Sequence, residues 1–405
     1  MKLSGRPERG LPRLVRLLVK VAAWVLVSIF SLWAIAALYF DVRRGWLRLP
    51  ATFVFVVAFL AILFFVKGPW LRLIACSLCS IFVLLWWLSL QPSNERPWQN
   101  DVSQLAWAEV HGDQVVIHNV RNCDYRTEFD YSCRWETRAY DLSQLRGLDA
   151  YIVNWGSPWI AHTMLSFQFG EDQYIAFSIE TRKVTGQSYS AVAGFFRQYE
   201  LIYLVSDERD VVRLRTNYRK GEDVYLFHLT GGPVLARRRF LEYVKSMNKL
   251  YERPEWYNAF SRNCTTSIFS QREAKPGEYL KFTPWDWQVL LNGKLDEFAY
   301  REGTLAGNLP FEELKRRAYI NPAARAADKD PDFSRRIREG RSGFEMTTLI
   351  TRLLALRILK RSQLSGSGLA PDALNFPGAD PVGDSRWSWA SRFDAFPGRE
   401  AISRS

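Results

Sequence analysis

The chain has 405 residues, 48% of them hydrophobic, with 54 Lys and Arg against 42 Asp and Glu for a net charge of +12. That length holds a membrane anchor plus one sizeable domain or two small ones. A basic balance suits nucleic acid or anionic lipid, and the apolar N-terminal third selects the membrane and removes nucleic acid from the expected partners.

Residues 1–20 form a basic head with Lys2, Arg6, Arg9, Arg13, Arg16 and Lys20. Three uncharged apolar runs follow within 21–90, at 21–40, 51–66 and 73–90. Spanning hydrocarbon takes about 20 apolar residues, and in lipid each run must close its own backbone hydrogen bonds as a helix. The basic head predicts a cytoplasmic N-terminus, which places everything after the third span outside. Arg43, Arg44 and Arg48 in the first loop pull against that orientation.

Cys76 and Cys79 lie within the third span and are read as packing residues. Cys123 and Cys133 fall in the exported part, where an oxidising compartment makes them candidates for a disulfide. Cys264 is left unpaired.

Residues 91–105 are a polar linker, and 106–345 form the exported domain. Short strands are expected at 106–110, 115–120 and 148–155, with a long polar loop from the second through Arg138. An alternating pair comes next. His162, Met164, Ser166 and Gln168 share one face of the first run; Ile175, Phe177 and Ile179 share a face of the second, opposite Ala176, Ser178 and Glu180. A turn at Gly170-Glu171-Asp172 pairs Phe169 with Gln173. The same register sets His162 opposite Glu180 on the more polar face. An imidazole held by a carboxylate is the arrangement of an oriented general base; the competing reading is an exposed cross-strand ion pair.

Further strands are expected at 201–205 and 224–229. Pro233 to Tyr251 carries Phe240, Val244, Met247 and Tyr251 at helical spacing. The chain then reaches Asn263-Cys264-Thr265-Thr266. Asn263 suits a helix N-cap, and a helix N-terminus favours a thiolate at Cys264. The competing reading is a small buried hydrophobe. Residues 305–311 are expected to be loop or cleft wall. Residues 346–361 read as a basic amphipathic helix that packs on the domain or lies on an anionic membrane surface. Residues 362–405, rich in Gly, Ser, Pro and Ala, read as disordered. The sequence has four histidines, His111, His118, His162 and His228, and lacks a phosphate loop, a G-x-S-x-G elbow and zinc spacing, so neither metal nor cofactor is expected. His228 is a backup base.

Ala161-His162-Thr163, Phe177 to Arg182, Tyr203 with Glu208-Arg209-Asp210, and Asn263 to Thr266 together resemble the Lnb N-terminal periplasmic domain family, over about 107–341. The resemblance implies an α+β fold: three transmembrane helices, then a permuted papain-like domain with an antiparallel sheet packed on helices and the histidine strand ahead of the cysteine helix. It implies Cys264 as nucleophile, His162 as base and Glu180 as a third member. Asn263 and Thr265 would serve the oxyanion or positioning, and Ser178 and Arg209 are secondary polar candidates. Its namesake moves an acyl chain from phospholipid to a lipoprotein. Three functions follow as expectations. The first is an acyltransferase or lipid hydrolase at the outer face of a bacterial inner membrane, with lipid and lipoprotein as partners. The second is a peptidoglycan peptidase or amidase. The third is a non-catalytic interaction protein.

Overall fold

The computed structural model describes residues 13–261 and 292–344. The basic head up to residue 12, Asn263, Cys264 and Thr265, the helix expected at 346–361 and the tail at 362–405 lie outside them.

The three apolar runs are helices α1 (Arg13–Asp41), α2 (Gly45–Phe65) and α3 (Pro69–Ser89), each long and apolar enough to cross a membrane. Pro69 opens α3, where its missing N–H is no loss. Small side chains let α1 and α3 approach: Ala34 and Ala37 are fully buried, and Ser31 bonds Ser80 at 2.9 Å. Such contacts replace the hydrophobic effect inside lipid.

The anchor is tied to the rest of the chain by polar bonds at its exit. Asp41 accepts from Trp87 Nε1 at 2.6 Å, Gln198 Nε2 at 2.9 Å and the Arg197 N–H at 3.2 Å. Arg197 donates to the Leu88 and Leu90 carbonyls at the end of α3. Phe196 stacks on Phe40, centroids 4.9 Å apart.

The domain is one sheet of eight strands: β1 (Trp107–His111), β2 (Gln114–Tyr125), β3 (Tyr131–Asp141), β4 (Leu145–Trp155), β5 (Ala161–Phe169), β6 (Gln173–Arg182), β7 (Glu200–Ser206) and β8 (Glu222–His228). Its order is β1-β2-β7-β6-β5-β4-β8, with β3 on β2. The expected antiparallel sheet is mixed, because β2 meets β7 in parallel at Arg121 and Ser206. The expected polar loop through Arg138 is instead β3. Its side chains are mostly half-exposed, so no alternation of apolar residues marks it, and the β2 ladder and the Cys123–Cys133 disulfide hold it.

Helix α4 (Glu208–Arg213) and a π-helical turn (Leu214–Tyr218) follow β7; α5 (Gly232–Glu252) follows β8. Phe240, Tyr243, Val244 and Met247 of α5 bury against Phe167, Phe169, Ile175 and Phe177 on one sheet face. Tyr251, expected on that buried stripe, is 43% exposed and stacks on Trp107. The chain returns through α6 (Leu295–Arg301), α7 (Phe311–Ala318), α8 (Asn321–Ala326) and α9 (Phe333–Arg336). Ile320, Ala324, Phe333 and Ile337 cover the opposite face with Met164, Ala176, Leu204 and Val212. The polar side of the β5–β6 hairpin is therefore interior.

Candidate functional site

The β5–β6 ladder runs from Phe169–Gln173 to Met164–Ser178, the register expected from the turn. One step on, His162 and Glu180 approach, but not directly: His162 Nε2 is 3.7 Å from Glu180 Oε1. Ser178 stands between them. Its Oγ lies 2.7 Å from His162 Nε2 and donates to Glu180 Oε1 at 2.7 Å. Arg215, from the π-helical turn, donates to Glu180 at 3.0 Å and to Glu222 at 3.2 Å. Single π-helical turns in a helix often mark functional positions.

The group is enclosed: His162 is 8% exposed and Ser178 fully buried. The competing reading of an exposed ion pair is thus corrected. Burial opposes charge on Glu180, yet Arg215 and Arg219 outweigh it and hold the carboxyl well below its ordinary range. For His162 burial comes first and the Arg215 charge adds to it, pushing the imidazole down to about 3 despite Glu180. Near neutral pH the set is a carboxylate, a hydroxyl and a neutral imidazole.

Those charge states fix the proton order. An ionised Glu180 can only accept, so the Ser178 hydroxyl must point to it. Ser178 can then only accept from His162, which places the ring proton on Nε2. Nδ1 keeps its lone pair and is the basic nitrogen.

Described chain on both sides of residues 262–291 lies at this end of the sheet. Before them, Trp256 bridges to Glu200 and the Tyr257 N–H donates to the Tyr199 carbonyl at 2.9 Å. After them, Gly293 N–H bonds the Trp159 carbonyl at 3.1 Å, three residues from His162. A Cβ on Gly293 would stand 2.5 Å from the Pro158 carbonyl, so glycine alone permits this approach.

The anchor lies at the same end. Glu200, at the start of β7, accepts from Arg96 and from the Ser93 N–H in the linker. Glu180 pairs with Ile202, two residues along β7, a rise of about 7 Å.

The other expected residues separate. Arg209 follows the far end of β7 and is not part of the His162 group. The backup base His228 bonds Asp149 Oδ1 through Nδ1 at 2.7 Å. Asp149 also takes Arg338, at 2.6 Å, which reaches Glu208 as well. Arg338 and His228 outweigh the burial of Asp149 and keep it below the ordinary carboxylate range. Arg215 carries no signal in the sequence, and the stretch from Asp332 to Arg338, which also resembles the end of the family's domain, gives no hint of Arg338's distant partners. Among the described residues no cluster of His, Cys, Asp and Glu could hold a metal ion.

Fold and site define a membrane-anchored α+β protein with a buried histidine relay at the anchor-side end of its sheet. Residues 131–293, behind the three helices, match the family model of the Lnb N-terminal periplasmic domain. The match is narrower than the expected 107–341: β1, β2 and the helices from α6 onward lie outside it. No curated protein and no solved structure matches the chain.

Proposed function

We propose that this chain is a cysteine-dependent acyltransferase or lipid hydrolase at the outer face of a bacterial inner membrane, with its N-terminus in the cytoplasm. The observation that carries the reading is the buried hydrogen-bonded chain His162–Ser178–Glu180–Arg215, whose polar contacts all fall on the Nε2 side of the ring. His162 takes the proton of Cys264. The thiolate attacks an ester carbonyl, the carbon–oxygen bond breaks, and the alcohol leaves with the proton from His162. The acyl group stays on sulfur as a thioester. A lipoprotein amine then takes the acyl chain as an amide, or water releases it as the acid; either restores the thiol. Backbone N–H groups at Cys264 and Thr265 serve the oxyanion in this reading, with Asn263 as a positioning residue. Glu180 acts through Ser178 as a positioning residue. The position of the relay near the anchor favours lipid over cell-wall peptide.

The test is covalent capture. The full chain in mixed micelles with a phospholipid labelled in its acyl chain is quenched in acid and digested. Label on the Cys264 peptide, lost in Cys264→Ala and strongly reduced in His162→Ala, supports the reading. Label that survives both substitutions refutes it, and capture of a cell-wall peptide in place of lipid moves the function to a peptidase.

A further inference from the structure

The Glu208-Arg209-Asp210 motif splits into two structural anchors and one residue without a structural task. Glu208 is buried against Arg338, Ser166 and Tyr151. Asp210 is buried against Arg121, Tyr125 and the Cys123 N–H. Arg209, between them, is exposed and makes neither a hydrogen bond nor a salt bridge to a described residue. It lines a cavity of about 390 Å³ with Arg134 and Arg213, beside the Cys123–Cys133 disulfide.

The cavity is rich in cationic donors. The Arg134 side chain is likewise exposed and makes no hydrogen bond or salt bridge to a described residue. Arg213 is 4% exposed, and its Nε lacks a hydrogen-bond partner. The two carboxylates in the wall are engaged: Asp124 by Arg213 at 2.7 Å, Asp207 by Arg138 at 2.5 and 2.8 Å. Asn122 and Ser132 add polar groups. Guanidinium groups only donate, and they match oxyanions in bidentate fashion. The volume is that of a small-ligand site. The unbonded Arg134 and Arg209 guanidiniums and the Arg213 Nε–H together exceed what one carboxylate, with two oxygens and one charge, can use. A phosphoryl group has three terminal oxygens and a charge of about −1.5 to −2.

We propose that this cavity binds the phosphoryl group of a small ligand. It is separate from the His162 relay. Glu180 pairs with Ile202, whereas Asp207 and Arg209 come after Ser206, four residues farther along β7, a distance of about 13 Å. Its failure would leave the capture of acyl groups at Cys264 untouched.

The experiment is calorimetric titration of the full chain in nonionic detergent with inorganic phosphate, glycerol 3-phosphate and N-acetyl-D-alanine. Saturable binding is expected for the first two, weaker by tenfold or more in Arg209→Gln and in Arg134→Gln. Arg146→Gln removes the same charge outside the cavity and should bind as the parent does. Arg134 and Arg209 are exposed and without bonded partners, so these variants should fold; unchanged thermal unfolding checks it. No saturable binding of either phosphate, equal binding by parent and pocket variants, or equal loss in Arg146→Gln overturns the proposal. Binding of N-acetyl-D-alanine as tight as that of glycerol 3-phosphate overturns it too.

Discussion

Replacing His162 by Gln removes one titrating group from the relay and keeps a donor that can face Ser178. An ordinary imidazole has a pKa near 6.5, and burial pushes His162 down to about 3. At pH 5 the unfolded chain therefore binds a proton at this residue that the folded chain refuses. Stability rises with pH wherever the unfolded state holds more protons. The His162 contribution is thus intact above about 6.5 and is lost as pH falls toward about 3. Between pH 7 and pH 5 the loss is about 2 kcal/mol, since each pH step below the unfolded value costs about 1.4 kcal/mol. Glu180 does not interfere, because its linkage lies below the ordinary glutamate value near 4.5. The assay is urea unfolding of the full chain in nonionic detergent, read by pulse proteolysis at the two pH values. The helices in the micelle contribute equally to parent and variant. The parent should lose about 2 kcal/mol more than His162→Gln on going to pH 5. Parallel loss, within about 0.5 kcal/mol, would refute the buried neutral imidazole and the proton order built on it.

Arg338→Met should destabilise the domain by about 3–5 kcal/mol, because Asp149 and Glu208, 2% and 1% exposed, lose their shared cation. Adding Asp149→Asn and Glu208→Gln should recover much of that loss in the same urea assay; no recovery would mean Arg338 acts by packing alone. Ser178→Ala should cost about 1–3 kcal/mol by leaving the His162 N–H unpaired in the interior, and should reduce acyl capture at Cys264 more than Ser166→Ala, which lies two steps along the same face. Cys133→Ser should lower domain stability by up to about 3 kcal/mol, the loop-closure value for a ten-residue separation; a reductant should shift the parent's urea midpoint equally and leave the variant's unmoved.

The hairpin was legible in the sequence because two physical rules act together there. Side chains alternate with period 2, and a three-residue turn fixes the pairing, so His162 and Glu180 had to fall opposite each other. The three helices were legible because lipid gives backbone groups no other partner. What stayed hidden depends on contacts between distant positions. Ser178 was visible as a polar face residue, but its place between ring and carboxylate depends on χ1, which alternation does not encode. Arg338 meets Asp149 across 189 positions, and Arg215 meets Glu180 across 35. An arginine in a basic stretch reads as solvated surface until its carboxylates are known. β3 was hidden for the opposite reason: its neighbour β2 and a disulfide hold it, and its own side chains bury too little to mark it.

Two histidines share the polar side of the sheet, and each is held by a carboxylate that an arginine holds in turn. His228 binds its carboxylate directly and is more exposed than His162. Position along the strands separates them. The described chain around His228 belongs to α6, α7 and their loop: Leu229 bridges to Leu305, and the Ala306 N–H bonds the His228 carbonyl. His162 is flanked by the two described edges of residues 262–291, at Glu200 with Trp256 and at Trp159 with Gly293. A nucleophile at Cys264 is three residues beyond Ser261, a reach of at most about 11 Å. General-base catalysis needs hydrogen-bond reach before it needs basicity. On the proposed mechanism the proton goes to His162, while His228 ties β4 and β8 to the C-terminal helices through Asp149 and Arg338.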